Sequence, residues 1–89
     1  MQNMEILKAQ LPTAPLSQIA DVIRRDWKNI NYAAKPYLAV MLTLPTIHSR
    51  YGLDDGKGIV LYFLANAGTW RGETARLVKA ELNRRVKEA

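Results

Sequence analysis

Apolar residues at Leu16, Ile19, Ala20, Ile23, Trp27 and Ile30 recur in steps of three and four, the spacing that draws one stripe down a helix. The stripe predicts an amphipathic helix starting at Leu16, capped by Ser17 or a residue just before it, with Arg24, Arg25 and Lys28 turned away from the core. Ahead of it, Met4 to Gln10 reads as a short helix. Pro12 and Pro15, in the connector Leu11 to Pro15, keep that helix from continuing. Residues 1–15 therefore read as an N-terminal arm or lid, and residues 16–89 as the helical domain.

Asn29 and Asn31 interrupt the stripe, and Pro36 belongs near a helix start, so the next helix is expected from about Ala34 or Pro36 to Leu44. Tyr37, Leu38, Val40, Met41, Leu42 and Leu44 make it apolar on nearly every side, which predicts burial. Pro45 ends it. Thr46 to Tyr51 fits one further turn, closed by Gly52 in the C′ role that tolerates positive φ. Asp54 or Asp55 then caps a helix running to Ala67. Its run of six apolar residues, Ile59 to Leu64, would also suit a buried strand, but Gly68 and the helical neighbours favour a central helix.

Gly68 can end that helix and Thr69 cap the next, which predicts a tight helical pair with almost no loop. At about 100° per residue, Ala75, Val78, Leu82 and Val86 gather on one side of the last helix, and Arg76, Lys79, Arg84 and Lys87 spread over the other. Glu81 is within reach of Arg84 or Arg85, and Glu73 of Arg76. The pattern predicts an all-α fold, a compact single-domain bundle of four main helices plus a short N-terminal helix. The Ile59 to Leu64 segment is expected at its centre and the basic helix on its outside.

The chain has 89 residues, room for one core and not two, and its 48% apolar and 24% charged residues are an ordinary globular balance. With no cysteine there is no disulfide framework, thiolate metal site or cysteine nucleophile. The N-terminal MQNMEILKAQLP has the pattern of neither a secretory signal nor a transit peptide, and no apolar run approaches the roughly 20 residues of a membrane span. Charge alters the picture more. Thirteen basic residues against eight acidic ones give +5, and from Arg71 to Lys87 six basic residues face only Glu73 and Glu81, a local excess of +4.

That excess predicts contact with nucleic-acid phosphates through Arg71, Arg76, Lys79, Arg84 and Lys87, beside the plainer reading of a solvated outer face. A DNA-reading helix-turn-helix fits poorly. With Gly68 as the turn glycine, Leu64 falls where a small residue is needed and Thr74 where a buried aliphatic belongs. A membrane-surface role suits the last helix no better, because its apolar stripe lacks Phe and Trp and is needed by the core.

Catalytic chemistry finds few candidates. His48 is the one histidine, and Ser49, its neighbour in sequence, would point elsewhere; Asp54 and Asp55 are adjacent and serve better as helix caps. A single His with two Asp is too thin for a metal site. The run GLDDGKG departs from a phosphate-binding loop, because Gly52 and Gly56 stand one residue too close and Gly58 replaces the magnesium-binding hydroxyl. No enzyme activity, metal or cofactor is expected.

Three stretches, DWKN at Asp26 to Asn29, PYLAVM at Pro36 to Met41 and YFLANAGTWRGETARLVKAEL at Tyr62 to Leu82, together resemble a group of small uncharacterised proteins encoded by phages and prophage-like elements of actinobacteria. The likeness spans roughly Ile19 to Val86. The arm lies outside it, and PTIHSR, Pro45 to Arg50, departs from it. The resemblance implies an accessory phage product acting in the host bacterial cytoplasm, and draws attention to Asp26, Trp27, Trp70, Arg71, Gly72, Glu73 and Arg76. Physical chemistry offers these positions two roles: a surface for a host protein, or a structural clasp in which Asp26 pairs with Arg71 while Trp27 stacks on Trp70. A small virion or assembly component that self-associates is the remaining alternative.

Overall fold

The computed structural model describes residues 4–89, so the first three residues of the N-terminal arm lie outside the described chain. It is a predominantly helical domain with five helices and one small hairpin. Helix α1 spans Met4–Gln10, α2 Leu16–Asp26 and α3 Lys35–Met41; strands β1 (Arg50–Tyr51) and β2 (Asp54–Asp55) follow, then α4 Gly56–Ala65 and α5 Glu73–Glu88. Helix α3 packs on α2 and α4, and α5 packs on α2 and α4. The all-α expectation holds at this level.

Helix α2 follows its stripe. Leu16, Ile19, Ala20 and Ile23 are buried, and Trp27, the residue after the helix, continues the line into the core. Ser17 does not cap it. Pro15 occupies the N-cap position without a side-chain bond, and the Leu16 N–H donates across the fold to the Pro45 carbonyl at 2.9 Å. A helix-end donor with no intrahelical partner is thus satisfied by a tertiary contact, which also fixes the connector against the α3–β1 linker. The arm is packed as well: Leu7 and Leu11 belong to the same buried cluster as α2.

Helix α3 keeps Pro36 in its first turn but stops at Met41, short of Leu44. The Thr43 hydroxyl donates to the Val40 carbonyl at 2.7 Å, capturing an acceptor at the helix end. The segment expected as one more helical turn forms a tight turn over Thr46–Ser49 and then the antiparallel hairpin, with Arg50 opposite Asp55 and Tyr51 opposite Asp54. Gly52 does take positive φ, at 62°, but in the hairpin turn and not as a helix C′ residue. Asp55 caps α4, its Oδ1 accepting the Gly58 N–H at 2.8 Å.

Gly56 explains how closely α4 approaches that turn. Its N–H donates to the Ser49 carbonyl at 2.7 Å, and a Cβ added there would stand 2.6 Å from the Ile47 carbonyl oxygen. Backbone cannot yield as a flexible side chain can. Gly56→Ala is therefore expected to destabilise the fold by about 1–3 kcal/mol, the usual range for overpacking, read as a lower midpoint in urea with an unchanged slope.

Two expectations are corrected around α4 and α5. Helix α4 is central on one side only: Ile59, Val60 and Phe63 are buried, whereas Leu61 is 45% and Tyr62 57% exposed. The tight helical pair is absent too. Helix α4 ends at Ala65, α5 begins at Glu73, and residues 66–72 form a loop in which Thr69 caps nothing. Gly72 takes the N-cap position of α5 at φ +114°, a conformation that side chains with a Cβ rarely adopt. What the loop achieves is burial of Ala67 and Trp70.

Candidate functional site: the basic helix and a tryptophan clasp

Trp70 is the anchor of the 66–72 loop. Its ring stacks on Trp27 with centroids 5.9 Å apart and planes at 15°, and Trp27 in turn meets Phe63 of α4 edge-on at 6.2 Å. The indole Nε1 donates to Asp26 Oδ2 at 2.9 Å, so Asp26 takes Trp70 as its partner and the expected Asp26–Arg71 pair does not form. Lys79, nearly two turns into α5, donates from Nζ to the Trp70 carbonyl at 2.7 Å and lies 5.9 Å from the ring centroid. Asn31 secures the loop's start by donating to the Asn66 carbonyl at 3.0 Å. Three helices and a loop thus meet in one clasp.

This arrangement decides which of the candidate residues can face a partner. Trp27 and Trp70 are buried and offer no contact surface. Arg71 and Glu73 stand exposed beside the clasp, outside its bonds. Lys79 points inward, and burial, followed by the nearby charge of Arg71, holds its amine below the ordinary lysine value. It serves the loop's carbonyl, which leaves it poorly placed to meet a phosphate.

The C-terminal half of α5 is also more committed than its charge count suggests. Arg84 donates from Nε and Nη2 to both oxygens of Glu81, at 3.1 and 2.6 Å, and from Nη1 to Glu88 at 2.9 Å. Arg85 donates from Nε to Glu81 at 2.6 Å and from Nη2 to the Leu11 carbonyl, also at 2.6 Å. Glu81 is buried, and burial alone would raise its carboxyl; hydrogen bonds from Arg84 and then Arg85, together with their charges, outweigh that and hold it below the ordinary carboxylate value. Extending the charge count from Lys87 to Glu88 lowers the local excess from +4 to +3.

The remaining cations are Arg71, Arg76 and Lys87, all exposed. Arg76 reaches Glu73 only at 3.9 Å, and Arg71 and Lys87 have no ion pair among the described residues. Arg76, Ala80, Asn83 and Lys87 follow the three-and-four spacing of a single helix face and are all exposed. The sequence-predicted basic set is therefore split: Arg71, Arg76 and Lys87 remain open, Lys79 is drawn into the clasp, and Arg84 is held by carboxylates. Arg85, absent from that set, is the cation that ties α5 to the arm. Its partner is a backbone carbonyl 74 positions away, a contact that no helical spacing rule announces.

His48 is exposed, and its backbone N–H donates to Thr46 Oγ1 at 3.1 Å within the turn. Among the described residues no three metal-ligating side chains gather, and no helix is long and apolar enough to cross a membrane. Comparison of the chain with protein-family models, with curated proteins and with solved structures returns no match.

Proposed function

We propose that this chain is a non-catalytic binding module that contacts the phosphate backbone of nucleic acid through the outer face of α5. The carrying observation is the exposed row Arg76, Ala80, Asn83 and Lys87, with Arg71, which has no ion pair among the described residues, near its N-terminal end. A small residue between two long cations lets a phosphate chain lie close to the helix, and Asn83 adds a polar group on the same line. The resemblance of Asp26 to Asn29, Pro36 to Met41 and Tyr62 to Leu82 to actinobacterial phage products supports an accessory role in a host cytoplasm. The helices α2 to α5 then act as a bundle that holds this face rigid.

Fluorescence anisotropy with labelled duplex and single-stranded DNA tests the reading. Three neutralised phosphates predict that a fourfold rise in salt weakens duplex binding by roughly 40-fold. The variant to compare reverses Arg71, Arg76 and Lys87 to Glu and spares Lys79 and Arg84, whose partners are structural. Salt-sensitive binding lost in a folded triple variant is the expected result. Binding that ignores salt, or that survives the reversal, overturns it.

A second reading draws on α4. Apart from Lys57 its residues are apolar or glycine, yet it leaves Leu61 and Tyr62 exposed, with Tyr62 stacked on Tyr37 at 5.3 Å. Helices apolar on all sides are usually covered. A protein partner, or self-association, would use this face and not the buried tryptophans. Concentration-dependent mass that vanishes in Leu61→Lys would favour it.

A further inference from the structure

The connector Pro12 to Pro15, the turn Pro45 to His48 and the last turn of α5 enclose an open cleft of about 570 Å³. Its walls and floor differ in kind. Pro12, Pro15 and Pro45 form rigid apolar walls that carry no N–H donors, whereas Arg84, Arg85 and Glu88 bring charge to one end. The segments that build it are held together independently of any occupant: Leu16 N–H bonds the Pro45 carbonyl, and Arg85 bonds the Leu11 carbonyl. The cleft is therefore pre-formed, which reduces the ordering cost of filling it.

Two guanidiniums carry ten N–H donors between them, and hydrogen bonds within the chain use five. Arg85 Nη1 has no partner among the described residues, although Arg85 is only 14% exposed. No buried side-chain nitrogen or oxygen among those residues lacks a partner, so this nitrogen reaches solvent, and Arg85 lines the cleft. The charges at that end balance only through an exposed partner. Arg84 and Arg85 against Glu81 leave one positive charge over, and Glu88 supplies the balancing carboxylate. Glu88 is 64% exposed in the final turn of α5, the weakest kind of ion-pair partner.

We propose that the cleft binds a carboxylate monoanion with an apolar body, whose carboxylate replaces Glu88 on Arg84 and engages the free N–H donors of Arg85. The ligand carboxylate takes the place of Glu88 on the guanidinium while Glu88, already 64% exposed, turns to solvent where water screens its charge, and the planar group matches the guanidinium fork. The apolar body lies along the proline rings and Ile47. A small organic acid and the C-terminus of an extended peptide share this chemistry. The proposal stands apart from the nucleic-acid reading, which places phosphates on Arg71, Arg76 and Lys87.

The test is a ¹H–¹⁵N shift titration of the wild-type protein and of Glu88→Gln and Arg84→Lys. The probes are sodium hexanoate, N-acetyl-Ala-Leu as the free acid, the same peptide as its amide, and inorganic phosphate. Saturable shifts confined to Thr13, Ala14, Thr46 to His48 and Arg84 to Glu88 are expected. Glu88→Gln should tighten binding about twofold, since it removes a competitor of the strength of an exposed i,i+4 ion pair. Arg84→Lys keeps the charge but loses the fork, and should weaken it. Hexanoate binding without the peptide acid assigns the site to small acids; binding of both assigns it to peptide C-termini as well. The proposal is overturned if neither acid gives saturable shifts in wild type or Glu88→Gln, if Glu88→Gln leaves affinity unchanged or weaker, or if the amide or phosphate binds as well as the acids.

Discussion

Truncating Trp70 to alanine is expected to cost about 3–5 kcal/mol of stability, the range for deleting a buried aromatic that leaves a cavity. For a domain of this size each kcal/mol lowers the midpoint by roughly 4–8 °C, so the variant should melt at least about 12 °C below wild type or fail to fold. The magnitude follows from what the ring holds: the stack on Trp27, the bond to Asp26 and the bed for Lys79. Trp70→Phe separates these contributions. It keeps an aromatic against Trp27 and loses only the indole donor and part of the area, so it should remain folded. A double-mutant cycle between Asp26→Ala and Trp70→Phe, each of which removes the bond, should show coupling of about 0.5–1.5 kcal/mol, the worth of one hydrogen bond with a charged acceptor partly open to water. The matching cycle between Asp26 and Arg71 should show none; coupling there, without coupling to Trp70, would dismantle the clasp as described.

The clasp also shows which features the sequence made legible. Stripes of long period were readable: Leu16 to Ile23 and Ala75 to Leu82 lie where their spacing put them, and Asp55 caps α4 by the ordinary rule. The stacking of Trp27 on Trp70 was accessible from chemistry, since two large rings at the ends of helices that pack together seek burial together. The partner of Asp26 was not, because an indole N–H and a guanidinium one residue apart compete for the same carboxylate and only geometry separates them. The 66–72 loop was hidden for a related reason. Gly68 and Thr69 carry strong local turn and cap chemistry, but burying Trp70 outweighs a capped helix start, and Gly72 supplies the unusual backbone that lets α5 begin later. Strands of two residues are too short to show alternation, so the hairpin left no periodic signal. In α4 the run from Ile59 to Leu64 indicates burial all round, and the structure covers it on one side only.

Glu81 carries the second large effect. Removing its charge with Glu81→Gln leaves Arg84 and Arg85 facing each other, one of them mostly buried, and the cost of such a stranded charge in a buried pair is about 3–5 kcal/mol. Here Arg84 is 44% exposed and Arg85 reaches the cleft, so water offsets part of it and about 2–3 kcal/mol is expected. The sign with pH follows from the direction of the shift. The folded carboxyl titrates below its ordinary value of 4.5, so its contribution is complete above that pH and is lost as pH falls through the folded value. Wild-type stability should therefore fall on acidification below about pH 4.5 while Glu81→Gln, already lacking the carboxylate, falls less, and the two urea midpoints should converge. Parallel acid limbs would mean that Glu81 titrates alike in the folded and unfolded chains. Hydrogen exchange adds the structural consequence: Arg85 secures Leu11, so amides of α1 should lose protection in Glu81→Gln before those of α2 and α4 do. The basic helix then has a second role, in which one buried carboxylate holds Arg84 and Arg85 together and so positions Arg85 for the bond that keeps the N-terminal arm in place.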